Sequence, residues 1–217
     1  MIGPNGAGKS TLINLISGKN HPTSGTITFK GVDITRLKPY QVRQLGITRS
    51  FQITNVFPTH TVYENVRLAV QAMTKERYHF WKPITHYEHI DKATRQILRD
   101  THLEEVADFV VGNLSYAQKR LLEIALSLAG APSLILLDEP AAGLSMEESQ
   151  WLSQIIKQIA RTFDLSVVFI EHDMDVVFSI ADYITVLHYG KIVAEDVPQR
   201  IKENSLVKEI YLGNQGE

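Results

Sequence analysis

Gly3-Pro4-Asn5-Gly6-Ala7-Gly8-Lys9-Ser10-Thr11 fits the phosphate-loop pattern G-x-x-x-x-G-K-[ST], and its reading decides the fold. The glycines let successive backbone N–H groups turn inward around a polyphosphate, because side chains there would fill the cradle. Lys9 supplies a point charge for the terminal phosphates, and Ser10 a hydroxyl for a metal ion. From Thr11 onward, Leu12, Ile13, Leu15 and Ile16 have helical spacing, which puts the phosphates at a helix N-terminus. A chance Gly-rich turn before a helix would give this match in roughly one chain of this size in a hundred. Nucleotide binding is the stronger reading, with Asn5 to Thr11 as the candidate contacts.

A phosphate loop normally follows a buried strand in the middle of a parallel sheet, and here only Met1 and Ile2 precede it. The reading therefore expects a sheet that lacks this strand and other N-terminal strands, and a correspondingly low stability. Composition narrows the class further. Hydrophobic residues make up 44% and charged residues 21% of the 217 positions, as in an ordinary soluble domain. A net charge of −2 leaves no electrostatic footprint for nucleic acid. The absence of cysteine excludes disulfides and thiol-based metal or redox chemistry. No apolar run is long enough to span a bilayer and no signal peptide precedes the loop, so a cytosolic protein, peripheral to a membrane, is expected.

Along the chain, Thr26 to Lys30 alternates like a half-buried strand, Pro39 to Leu45 reads as a helix and Gly46 to Phe51 as a strand. Helical spacing follows over Val62 to Met73, Asp91 to Leu103 and Tyr116 to Ala129, with an irregular, aromatic and His-rich stretch from Lys75 to His89. The continuous apolar run Leu134-Ile135-Leu136-Leu137 predicts a strand buried on both faces. A helix over Glu147 to Phe163, a strand over Ser166 to Ile170, a hairpin over Tyr183 to Glu195 and a helical tail from Pro198 to Tyr211 complete the pattern. Strands alternate with helices at both ends, which predicts an α/β core interrupted by a helical segment.

Leu137-Asp138-Glu139-Pro140 ends the apolar run and delivers two carboxylates at the C-terminal end of a strand, where open α/β sheets bind ligands. Asp138 suits the surroundings of the Mg²⁺ that Ser10 would hold, and Glu139 is placed to take a proton from an attacking water. A pair of solvated loop acids would be as plausible if the phosphate loop were absent.

With Leu114-Ser115-Tyr116-Ala117-Gln118 directly before a helix, the chain resembles an ATP-binding cassette ATPase, whose signature loop usually reads LSGGQ. Gln52 after the strand ending at Phe51 is similar to that family's Q-loop glutamine. Ala141-Ala142-Gly143-Leu144-Ser145 is similar to its D-loop, and His172 to its switch histidine. The resemblance covers essentially the whole chain. It implies a P-loop NTPase (RecA-like) core with a mainly parallel sheet, formed by residues 1–53 and 131–217, and an inserted helical subdomain over residues 54–130. ATP and Mg²⁺ are the implied cofactors. Glu139, His172 and Gln52 are the implied catalytic set, and Ser10, Gln52 and Asp138 the implied metal set. Such domains pair head to tail, so Ser115, Ala117 and Gln118 would contact the nucleotide of a partner copy.

Two departures stand out. Tyr116 and Ala117 replace the signature glycines, and Ala117 is expected to weaken ATP-driven pairing, because a methyl group narrows backbone approach and disfavours positive φ. Ser145 stands where the D-loop usually has Asp. Within the family, Arg49 to Ile53, Val56-Phe57-Pro58, Thr61 to Val66, Ile170 to Met174 and Ile210 to Gly213 resemble the Liv-type ATP-binding subunits of branched-chain amino acid importers, a pattern shared with urea and amide importers. That resemblance implies a peripheral subunit on the cytoplasmic face of the membrane. Its implied partners are permease subunits, a second ATP-binding subunit and, indirectly, a solute-binding protein, with no nucleic acid among them. The alternatives are a non-transport cassette ATPase and a catalytically silent nucleotide-binding module.

Overall fold

In the computed structural model, which describes residues 1–50, 56–78 and 87–212, helices and strands alternate as an α/β fold requires. The elements are α1 (Lys9–Ile16), β1 (Thr28–Phe29), β2 (Val32–Asp33), α2 (Pro39–Gln44), β3 (Ile47–Arg49), α3 (Val62–Ala72), α4 (Glu88–Asp100) and α5 (Tyr116–Leu128). They continue as β4 (Leu134–Asp138), α6 (Met146–Thr162), β5 (Ser166–Ile170), α7 (Met174–Ile180), β6 (Ile184–His188), β7 (Lys191–Asp196), α8 (Pro198–Glu203) and α9 (Ser205–Leu212). The chain forms two compact units. The first comprises Met1–Gln44, Leu136–Gly143 and Val167–Glu217, the second Leu45–Ile135 and Leu144–Ser166. This division differs from the sequence boundaries at 53/54 and 130/131 because α6 packs on α5 and is grouped with it.

In the first unit the end of β4 lies beside β5, and β6 pairs with β7 as an antiparallel hairpin with a bulge between Val186 and Leu187. Ile2 bridges Val186 in parallel, donating its N–H to Thr185 O (3.0 Å) and accepting from Leu187 N (2.9 Å). Leu136 and Leu137 are at most 1% exposed, so the apolar run has no solvent face, which is why it does not alternate. Ile13 of α1 and Val177 of α7 are likewise fully buried. Burying each such side chain contributes about 1.5–3 kcal/mol.

In the second unit Gly46 O accepts from Ser133 N and Leu134 N, which ties the entry of β3 to that of β4. Helices α3, α4 and α5 pack together through buried Val62, Val66, Ile97, Leu98, Leu121 and Leu122. Before α3 the chain from Phe57 to Thr61 is held by one side chain. Asn65, 3% exposed, accepts from Phe57 N (2.8 Å) and donates to Phe57 O (3.1 Å) and Thr61 O (2.9 Å).

Three departures from the sequence reading have local causes. The strand expected over Thr26 to Lys30 is only Thr28–Phe29, because Lys30 and Gly31, both at positive φ, form a two-residue turn into β2. Helix α4 begins three residues earlier than Asp91 and stops at Asp100. There His102 turns left-handed (φ 54), with its N–H on Arg99 O and that of Leu103 on Leu98 O, the Schellman pattern. Leu103 stays fully buried although it has left the helix. The tail is two helices rather than one. Asn204 separates them, its Oδ1 accepting from Val207 N (3.2 Å) at the start of α9.

Replacing Asn65 by Leu leaves the Phe57 N–H without its acceptor, while the Phe57 and Thr61 carbonyls keep the backbone N–H groups of His60 and Asn65. From the usual penalty of about 1–3 kcal/mol for one unsatisfied buried group, we expect a destabilisation of about 1–3 kcal/mol, read as a lower urea midpoint. An unchanged midpoint would mean that water replaces the amide at no loss.

Candidate active site

The phosphate loop lies wholly in the first unit. Asn5 to Gly8 form a turn in which Gly6 (φ 76) and Gly8 (φ 99) occupy the left-handed region. Gly8 is the N-cap residue of α1, and having no side chain it makes no cap hydrogen bond. Helices α3, α5 and α6, by contrast, begin with complete capping boxes, Thr61/Glu64, Ser115/Gln118 and Ser145/Glu148. The first-turn amides of α1 thus keep their donors for an anion, and Ser10 and Thr11 beside them are exposed. The loop is anchored from behind by Gly190, which donates its N–H to Ala7 O (2.9 Å) from the tip of the β6–β7 hairpin. At Gly3 a Cβ would sit 2.1 Å from Leu187 O, so a side chain there would push the loop off β6.

Lys9 is 6% exposed, and its ammonium donates to Gly3 O (2.7 Å) and Pro4 O (3.0 Å) of the loop it belongs to. Burial lowers its pKa, an effect opposed by the charges of Glu139 and Asp138. Those two carboxylates, assigned to the site from the end of the apolar run, are therefore close enough to act on Lys9.

Asp138 closes β4, and Glu139 follows with its backbone in the left-handed region (φ 51). That conformation is held on both sides: Glu139 N donates to Ile170 O (3.0 Å), and Ala142 N donates to Glu139 O (3.1 Å). A non-glycine residue at positive φ carries strain and is found disproportionately where a side chain must be aimed. Here it aims the carboxylate at His172, whose Nε2 lies 2.9 Å from Glu139 Oε1. An ionised carboxylate only accepts, so the imidazole Nε2–H is the donor. Both side chains are a little under half exposed, at 44% and 45%, so water reaches the pair. After His172, Asp173 caps α7 by accepting from Asp175 N (2.9 Å) and Val176 N (3.3 Å), which ends the loop cleanly.

In the second unit, Ser115 Oγ accepts from Gln118 N (3.2 Å) and Gln118 Oε1 accepts from Ser115 N (2.9 Å). The Ser115 hydroxyl proton stays available to donate. Tyr116 does not project past the helix start: its hydroxyl accepts from an Arg120 terminal nitrogen (2.9 Å), and the guanidinium lies 5.1 Å from the ring centroid. Arg120 is in turn paired with buried Glu123 (3.0 Å). Ala117 is 4% exposed and lies within α5, outside the set of positive-φ residues. The backbone conformation that a methyl group would disfavour is therefore not used at this position. Ser145 caps α6, a task that Ser and Asp perform equally well.

Gln52, assigned to the catalytic and metal sets, lies outside the described residues, as do Phe51, Ile53 and the aromatic stretch around Trp81. Among the described residues no group of three His, Cys, Asp or Glu side chains forms a metal cage. The Ser10 hydroxyl and Asp138 carboxylate are hard oxygen donors, the set with which Mg²⁺ is held jointly by protein and substrate phosphates, so the residues fit that ion. Sequence reasoning gave no role to Glu171, Arg120 or Glu123. Glu171 stands beside His172 in the chain, but only its 4% exposure shows that it turns inward.

Comparison with known proteins agrees with this geometry. Residues 1–142 match the family described as ABC transporter. The high-affinity branched-chain amino acid transport ATP-binding protein BraF of Pseudomonas aeruginosa is 36% identical over 98% of this chain and 86% of its own length. The crystal structure of the ADP conformation of MJ1267, an ATP-binding cassette of an ABC transporter, superposes with a TM-score of 0.80 at 31% identity, over 98% of this chain and 86% of that one. The dimeric post-hydrolysis cassette MJ0796, bound to ADP and Pi, does so with a TM-score of 0.72 at 27% identity, over 91% and 83%. With an uncapped phosphate loop, a glutamate–histidine pair and a family match over more than half its length, the chain belongs to the ABC transporter family as an ATP-binding cassette.

Proposed function

We propose that this protein is the ATP-binding and ATP-hydrolysing subunit of a membrane importer for branched-chain amino acids or related small polar solutes. The observation that carries the reading is the Glu139–His172 contact of 2.9 Å in the same unit as the Lys9 loop, with Glu139 acting electrostatically on Lys9. The identity to BraF supports the solute class.

In this reading the α1 amides and Lys9 bind the β- and γ-phosphates, and the triphosphate takes Lys9 away from Gly3 O and Pro4 O. Ser10 and Asp138, with Gln52, would hold Mg²⁺, which would supply charge neutralisation at the phosphates. Glu139 accepts the proton of the attacking water, and His172 steadies the carboxylate and reaches the γ-phosphate. Phosphoryl transfer asks mainly for positioning and charge neutralisation, and these groups provide both. Ser115, Ala117 and Gln118 act on the nucleotide of a second copy, the Ser115 hydroxyl donating to the γ-phosphate. Residues 54–130 serve as the helical subdomain against which a permease helix docks. Phe57, 53% exposed, and Val56 lie on the chain just before α3 and supply apolar contact for it. No described helix is long and apolar enough to cross a membrane, and the reading places the protein on the cytoplasmic face through its permease.

Reconstituted with its permease and solute-binding protein, the subunit should hydrolyse ATP faster when a branched-chain amino acid is supplied. Solute-independent turnover, or none, would refute the transport role. Glu139→Gln should keep ATP binding while turnover falls by about 10²–10⁴-fold, the usual share of a general base, and an ATP-dependent dimer should accumulate on a sizing column. Lys9→Ala should weaken ATP binding by at least about tenfold in a fluorescent-nucleotide titration, since it removes a charge-assisted contact. Parental affinity in that variant would remove Lys9 from the site.

A further inference from the structure

Glu171 is 4% exposed, and nothing in the proposed chemistry uses it. Its Oε1 accepts the backbone N–H of Ala141 at 2.8 Å. The contact flanks the reacting pair: Ala141 lies two residues beyond Glu139, and Glu171 directly precedes His172, which carries the imidazole. One buried carboxylate thus joins the turn after β4 to the loop after β5 at the point where Glu139 and His172 meet. A second link, Glu139 N to Ile170 O, ties the same two segments one step earlier. Together they fix the left-handed backbone at Glu139 and hence the direction of its side chain.

We propose that Glu171 is a positioning residue for hydrolysis: it receives the N–H group of Ala141 and so holds the Glu139 carboxylate and the neighbouring His172 ring in register. The proposal rests on the reading of Glu139 and His172 as the water-activating pair. Displacing a reacting group by about an ångström is enough to slow chemistry by about 10²-fold without touching substrate binding. The Glu171 hydrogen bond reaches the turn after β4 and not the phosphate loop, so binding and chemistry should separate.

The test compares the parent with Glu171→Ala and Glu171→Gln in the full chain, assembled with its permease. Glu171→Ala should lower kcat by about 10–100-fold with KM for ATP within about threefold, because alignment and not phosphate binding is lost. Glu171→Gln keeps an acceptor for Ala141 and should recover most of the loss. Amide hydrogen exchange provides a second measurement that needs no turnover: Glu171→Ala should speed exchange at Ala141, whose N–H then loses its acceptor. A kcat within twofold of the parent in folded Glu171→Ala, or a loss carried by KM alone, would overturn the proposal. Where Glu171→Ala does not fold, parental kcat and parental exchange at Ala141 in Glu171→Asp, whose shorter side chain withdraws the carboxylate, would overturn it. A parent assembly that turns over no ATP would instead refute the hydrolytic reading, while the exchange experiment would still report on the carboxylate bridge.

Discussion

A buried ammonium surrounded by backbone carbonyls sets the terms for the rest of the first unit. Lys9 is nearly inaccessible, and its charge is tolerated because Gly3 O and Pro4 O accept from it and because Asp138 and Glu139 act on it from the end of β4. For the carbonyls to converge, Gly3 must pass so close to Leu187 O that no Cβ fits. For the carboxylates to reach it, β4 must end there, and Glu139 must turn through a left-handed conformation. In the proposed function, a polyphosphate arriving at the loop would substitute anionic oxygens for carbonyl oxygens around the same ammonium.

Much of this was legible in the sequence, for specific reasons. The glycine spacing of the phosphate loop reports a backbone requirement, and backbone requirements survive without knowledge of the fold. The apolar run Leu134 to Leu137 reports burial on both faces, and Ile135, Leu136 and Leu137 are buried while Leu134 at its start is half-buried. The strand Ser166 to Ile170 and the helix from Tyr116 lie within a residue or so of their predicted limits. Harder to see were features decided by a single side chain. His102 in the left-handed conformation ends α4 where a glycine would have announced the stop. Asn204 divides the tail, with no proline to mark the break. Helix α7 was not predicted, although Asp173 followed by Val176, Val177 and Ile180 carries both an N-cap and apolar spacing.

The site shows the same division. Lys9, Asp138, Glu139 and His172 are proposed from pattern and order, and the structure brings Glu139 to His172 and both acids within electrostatic reach of Lys9. Glu171 could not be proposed that way, because a glutamate beside a histidine reads as another solvated loop acid until its burial is known. Desolvation raises its pKa, and the nearby N–H groups of Ala141 and His172 work against that rise, which is how a carboxylate is kept in an apolar setting. A buried carboxylate that takes a backbone donor from another loop is a joint, and joints are read from three dimensions.

The departures from the signature pattern are explained by where side chains go. Glycine at positions 116 and 117 would leave the helix start bare, while this chain keeps it clear by another route. Tyr116 is drawn back along α5 by Arg120, through both its hydroxyl and its ring, and Arg120 is itself fixed by Glu123. The methyl of Ala117 is turned into the unit, and the backbone there is ordinary helix. What a phosphate would meet is set by Ser115 and the first amides of α5, and those depend on helix geometry rather than on the absence of side chains. The arrangement exchanges two glycines, which are weak helix formers, for a tyrosine and an alanine that favour the helix. The exchange stiffens the helix end that presents the Ser115 hydroxyl, and it requires a buried arginine to hold the tyrosine aside. The Arg120–Glu123 pair therefore shapes the start of α5, the guanidinium by holding Tyr116 and the carboxylate by holding the guanidinium.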